Sequence, residues 1–255
     1  MVIGGGRKKL SPAREIAYVA VTVALLLGGQ LVFSAVMGLE IVTLILAAFS
    51  FVFGARRGMF AAIAFSLLRC AIFGFYPAVV ILYTLYYPLL SLVFGGLGHI
   101  KISTYEKFPL ALFFIVNALI LLLCGASLWG ALRGVLRVSR LWRAEVRAWL
   151  WTGFGLFALT FAAFNILFII QRTGKNCAQF VRLLTLCAVG ALCTLSFSLM
   201  DDIISPLVLG MGRTAALGYF YASFTVMIPQ TVCTILTVLV LFYPVISAMQ
   251  RVKKL

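Results

Sequence analysis

The groups in this chain that can do chemistry are few, and most stand inside otherwise apolar stretches. Arg69 lies deep in one such stretch, and Glu40 opens another. Asp201 and Asp202 stand together just before Ser205 and Pro206. Gln30, Ser34, Thr43 and Gln230 add hydrogen-bonding groups, and Tyr76, Tyr83, Tyr86, Tyr87, Tyr219 and Tyr221 add rings with a polar edge. A charge in hydrocarbon is costly, and one that is retained usually faces a cavity or a partner. A few convergent polar groups set in an apolar, aromatic wall make a small-ligand pocket. The chemistry this inventory suits is therefore binding.

Catalysis is not indicated. The single histidine, His99, lies in a basic loop, so no His-x-x-x-His zinc site can form and a Ser–His hydrolase is unattractive. Gly4-Gly5-Gly6-Arg7 lacks the Lys-Ser/Thr ending of a phosphate loop. The chain has no nucleotide motif of its own, and no cofactor or metal site is expected. The cysteines Cys70, Cys124, Cys177, Cys187, Cys193 and Cys233 form no C-x-x-C pair and read as small buried hydrophobes.

The elements that must position these groups are membrane helices. The chain has 255 residues, 64% of them hydrophobic and 11% charged. A spanning helix needs about 20 mostly apolar residues. Eight apolar segments follow one another: 15–37, 40–55, 58–76, 78–98, 108–131, 148–171, 183–205 and 214–247. The expected fold is an all-α membrane bundle that crosses the bilayer at least six times. The formal net charge of +15 does not point to nucleic acid, because no polar domain presents a basic face. The basic residues sit between apolar runs, where they set topology and meet anionic lipid heads.

The Lys/Arg bias gives an orientation. The N-terminal Arg7, Lys8, Lys9 and Arg14, the Arg56-Arg57 turn, the Lys101 to Lys107 loop and the tail Arg251, Lys253 and Lys254 all fall on one side for an even number of spans. That side is expected to be the cytoplasm, with both termini there. The loop with Arg133, Arg137, Arg140, Arg143 and Arg147 falls on the other side if both neighbouring segments span. It reads as a re-entrant hairpin, an interfacial helix or a tolerated violation. Pro88, Pro206, Pro229 and Pro244 mark kinks or helix ends.

Depth relates the polar groups to one another. Glu40 stands about 16 residues before the Arg56-Arg57 turn and Arg69 about 13 after it. At about 1.5 Å per residue their levels differ by roughly 5 Å, close enough to pair near the outer face. Asp201 and Asp202 end the seventh segment at a similar level. Gln30, Ser34, Glu40, Thr43, Arg69, Tyr83, Tyr87, Asp201, Tyr221 and Gln230 are the candidate binding residues. In the first segment, Ala13, Ala17, Ala20, Ala24 and Gly28 form one smooth stripe. Small residues let another membrane helix approach closely. Ala17, Ala20, Ala24 and Gly28 are the candidate docking face, either within this chain or for another subunit.

These residues carry a family resemblance. Ala20-x-x-x-Ala24, Gly38-Leu39-Glu40-Ile41-Val42-Thr43, Phe53-Gly54-Ala55-Arg56-Arg57-Gly58, Arg69, Phe73-Gly74-Phe75 and Tyr86-Tyr87-Pro88 resemble the S components of energy-coupling-factor (ECF) importers, the membrane subunits that bind vitamins. Tyr219 to Gln230 and Tyr243-Pro244 resemble the family's last helix, and the Glu-Ile-Val-Thr stretch is nearest the cobalamin-type branch. The resemblance covers roughly residues 14–100 and 183–250.

It implies a multi-pass cell-membrane subunit that binds a vitamin-like substrate from outside. It would dock through Ala20 and Ala24 onto a transmembrane coupling subunit served by two ATPases, then topple to release its load. Glu40, Thr43, Arg69 and Tyr87 would be pocket residues by position. The family core has six helices, so the implied organisation is a basic tail (1–14), four core helices (15–107), an inserted hairpin with the arginine-rich loop (108–171) and two last core helices with a basic tail (172–255). The competing reading is a stand-alone secondary transporter or channel for a small molecule, which would carry coupling residues near the bilayer midplane.

Overall fold

A computed structural model describes residues 11–33, 41–100, 109–133, 140–172 and 177–254. They form eight helices in chain order: α1 (Pro12–Phe33), α2 (Val42–Phe53), α3 (Ala55–Phe73), α4 (Pro77–Leu97), α5 (Pro109–Arg133), α6 (Arg140–Arg172), α7 (Cys177–Val208) and α8 (Arg213–Lys254). The fold is an all-α bundle, with no strand among the described residues. Six of the helices are long and apolar enough to cross a membrane: α1, α4, α5, α6, α7 and α8. Many of their outward side chains, such as Leu25, Leu85, Leu89, Leu122, Leu207 and Val240, are exposed in the isolated bundle. Lipid is the solvent that suits them.

The eight apolar segments are the eight helices, with different ends. Arg56 and Arg57 are not a turn; they lie in the first turn of α3. The chain reverses at Gly54 alone, whose φ of 93° is reached without the penalty a Cβ would bring. This one residue ends α2 and starts α3. The next reversal, Gly74-Phe75-Tyr76 ahead of Pro77, again uses a positive-φ glycine, Gly74. Proline at the first position of α4 suits a helix start, where its missing N–H is no loss. Pro88, Pro206, Pro229 and Pro244 end no helix; each lies inside one.

Side-chain contacts fix the up-and-down order. At one end Glu15 of α1 pairs with Arg57 of α3. Tyr18 Oη donates to Val252 O of α8 at 3.1 Å, and Lys253 Nζ donates to Val52 O of α2 at 2.6 Å. The Arg182 guanidinium of α7 lies 4.7 Å from the Phe51 ring centre. The starts of α1, α3 and α7 thus meet the ends of α2 and α8, and Gly98, just after α4, packs on Phe51. We call this the basic end. The starts of α2, α4 and α8 and the ends of α1, α3 and α7 lie opposite.

Two cores result. The larger joins α1–α4 with Leu186 and Cys187 of α7 and Val238, Phe242 and Ile246 of α8. At its centre is α2, ten of whose twelve residues are buried. The smaller core joins Ile120, Ala131, Leu150 and Phe157 of α5 and α6 to Leu195, Phe224, Met227 and Ile228. The α5–α6 hairpin therefore packs on α7 and α8 and stands to one side of the first four helices. Asn165 Nδ2 donates to Asn117 Oδ1 at 2.8 Å, and the Phe113 and Phe164 rings stack at 5.4 Å. These contacts set the start of α5 beside the end of α6. The end of α5 and the start of α6 accordingly lie at the end opposite the basic one, where Gly153 packs on Ile228 and lies near Ser127.

Gly95 of α4 lies against the backbone of Ala55 and has no room for a Cβ, whereas its neighbour Gly96 faces open space. Gly95→Val should lower stability by about 1–3 kcal/mol through overpacking. Gly96→Ala should leave it unchanged or slightly raised. Thermal unfolding of the purified variants in detergent checks this; equal effects at both positions would contradict the packing of α4 on α3.

Candidate functional site

Five of the ten candidate binding residues, Gln30, Arg69, Tyr83, Tyr87 and Asp201, come together toward the end opposite the basic one, in two sets. The first is built by α1, α3 and α4. Arg69 stands one turn from the end of α3, ~6 Å below it. Its guanidinium lies 4.4 Å from the Tyr83 ring centre and 5.2 Å from that of Phe73. Its Nε is buried and makes no hydrogen bond with the described residues. Gln30 Nε2, from the last turn of α1, donates to Tyr83 Oη at 3.4 Å, and Gln30 Oε1 is buried with no donor among the described residues. The backbone of Tyr83 is held by α3, since Ser66 Oγ lies 3.0 Å from Tyr83 O.

Rings extend this set inward. Tyr83 packs on Tyr87 at 5.0 Å, and Phe197 of α7 meets Tyr83 at 5.7 Å and Tyr86 at 4.8 Å. Tyr87 is fully buried, with Phe65 edge-on at 5.1 Å. The aromatic group therefore joins α3, α4 and α7, with Arg69 as its cationic edge.

The second set lies between α7 and α8. Asp201 accepts from Ser205 Oγ at 2.6 Å and from Tyr219 Oη at 2.8 Å. Asp202 Oδ2 accepts from Ser223 Oγ at 2.8 Å, and Asp202 Oδ1 is buried with no donor among the described residues. Tyr219 and Ser223 are four residues apart and so share one face of α8. The two sets adjoin along α7, because Phe197 precedes Asp201 by one turn.

Of the ten candidate residues, Gln30, Arg69, Tyr83 and Tyr87 come together, and Asp201 lies in the adjoining set. Thr43 is buried in the first turn of α2, with its Oγ1 unbonded among the described residues. Tyr221 faces away, packing on Phe220 and Phe224 in the smaller core. Gln230 is buried on α8, two turns beyond Ser223. Ser34 and Glu40 lie outside the described residues, and so does the expected Glu40–Arg69 pair. Among the docking residues Ala17, Ala20 and Ala24 are exposed, and Gly28 has no neighbour where a Cβ would stand. The buried face of α1 is Thr22, Val23 and Leu26.

Three features were not read from the sequence. The Glu15–Arg57 pair joins residues 42 apart, with no local pattern to announce it. Phe197 looked like an ordinary apolar residue, and Phe73 stood out only as part of the Phe73-Gly74-Phe75 motif, with no sign of its contact with Arg69. A line of buried polar groups on α7, Thr194, Ser198 and Asp202, was legible in its four-residue spacing, which places all three on one helix face. No family model, no curated protein and no solved structure matches this chain.

A guanidinium stacked on rings is not replaced by an ammonium, which is a compact, strongly hydrated point charge. Arg69→Lys should therefore lose most of the stacking energy, about 1–2 kcal/mol. Arg69→Met, which keeps the bulk without the charge, should be the better tolerated of the two. Denaturation of the two variants decides the matter; full stability of the lysine variant would contradict the stacked arrangement.

Proposed function

We propose that this chain is the high-affinity substrate-binding membrane subunit, or S component, of an ECF-type importer for a vitamin or related micronutrient, nearest the cobalamin-type branch. The observation that carries the proposal is the face of α1. Ala13, Ala17, Ala20 and Ala24 are exposed along one side, while the other side packs into the bundle. A run of small residues left uncovered is what a close-packing membrane helix from another subunit requires. The resemblance at Ala20-x-x-x-Ala24 assigns that partner: a transmembrane coupling subunit carried by two ATPases.

Two further observations support the reading. The basic end gathers Arg56, Arg57, Arg182, Arg251 and Lys253, which suits a cytoplasmic face in a cell membrane. The candidate binding groups lie at the opposite end, where a substrate arriving from outside would meet them. The substrate would lie against Gln30, Arg69 and Tyr83, with ATP used only by the partner. The stand-alone secondary transporter keeps one observation in its favour, the Asp201–Asp202 pair within a spanning helix.

Ala20→Trp and Ala24→Trp test the docking face. Each should abolish co-purification of the coupling subunit and ATPases, while the variants still insert and retain substrate binding when isolated. Normal assembly of both variants would place the docking face elsewhere. Failure of the wild-type chain to bring down any coupling subunit would refute the importer reading.

A further inference from the structure

The Asp201–Asp202 pair stands at the mouth of a buried polar seam between α7 and α8. On α7 the seam runs through the buried Ser205, Asp202, Ser198 and Thr194; on α8 it runs from the half-buried Tyr219 and Ser223 to the buried Gln230 and Thr234. It closes where the Thr194 and Thr234 hydroxyls meet at 2.9 Å, ~12 Å along α7 from Asp202.

The oxygens at its mouth are unequally served. Asp201 has both occupied, by Ser205 and Tyr219. Asp202 has one occupied, by Ser223. The remaining atom, Asp202 Oδ1, is buried on a side chain only 9% exposed and has no donor among the described residues. No Lys or Arg pairs with either carboxylate among the described residues; Arg213, which heads α8, is exposed. A carboxylate in this setting is expensive unless a positive charge joins it.

The geometry points to a monovalent cation site at Asp202 Oδ1, completed by Asp201 and the hydroxyl oxygens of Ser205, Tyr219 and Ser223. An all-oxygen set selects a hard cation. No cluster of three or more His, Cys, Asp or Glu is present among the described residues, which disfavours a transition metal. Both oxygens of Asp201 are hydrogen-bonded by neutral hydroxyls, so the one oxygen left without a donor among the described residues, Asp202 Oδ1, is where a single positive charge joins. That charge is either a free alkali ion or an ammonium group of an organic molecule. The site stands on its own geometry and does not rest on the importer reading.

The test is thermal unfolding of the purified full chain in nanodiscs at constant ionic strength. Sodium, potassium and choline chlorides are compared with N-methylglucamine chloride, a bulky inert cation. At least one of the first three should raise the unfolding midpoint saturably, by a few degrees, as a ligand of the native state does. Response to sodium or potassium assigns a free ion, and response to choline alone assigns an organic ammonium. Asp202→Asn should remove the shift. Tyr219→Phe and Ser223→Ala, which keep the fold if the asparagine variant does not, should weaken the apparent affinity several-fold. The proposal is overturned if no probe differs from N-methylglucamine or if the shift survives all three substitutions. It is also overturned if only magnesium, calcium or pH moves the midpoint.

Discussion

The last turn of α2, a helix of twelve residues with ten of them buried, has carbonyls that must find donors inside the protein. A buried carbonyl left unsatisfied would cost about 1–3 kcal/mol. Lys253 reaches Val52 O from the end of α8, and Arg57 reaches Phe53 O from the start of α3 at 3.1 Å. Both cations also suit the negative end of the helix dipole. Glu15 then holds Arg57 and ties in α1. One buried helix end thereby joins the first and last helices of the chain.

The opposite, polar end is positioned from there. With α2 pinned, α3 and α4 pack tightly enough at Gly95 and Ala55 to fix their register, and Ser66 repeats the link higher up at Tyr83. Arg69 and Tyr83 are then brought face to face within about two turns of their helix ends. The α5–α6 hairpin takes no part in this. It braces α7 and α8, the two helices that carry the acidic pair. The molecule thus separates a rigid basic end from a polar end built on two neighbouring interfaces, α3–α4 and α7–α8.

The number and type of helices were legible in the sequence because lipid demands long apolar runs and closed backbone hydrogen bonding. Helix ends were less so. Arg56 and Arg57 looked like a turn because charges usually mark one, yet Gly54 makes the reversal, Arg57 turns back onto Phe53 O of α2 and Arg56 lies over Phe60 of its own helix. The levels of Arg69 and Tyr83 followed from counting residues. Their partners did not, since stacking of Arg69 on Tyr83 and Phe73 depends on which faces of α3 and α4 meet. Tyr221 carried the same residue type as Tyr83 and points into a different core, because hydropathy gives depth and not rotation.

The central claim is that the polar end holds a small molecule in this chain alone, without nucleotide or ion gradient. Equilibrium binding to the purified chain in nanodiscs tests it most directly, using a vitamin panel with cobalamin first. The account predicts saturable one-to-one binding of one panel member, lost in a Tyr83→Ala, Arg69→Ala double variant that remains folded. Uptake into liposomes by this chain alone, driven by a proton or sodium gradient, would contradict it.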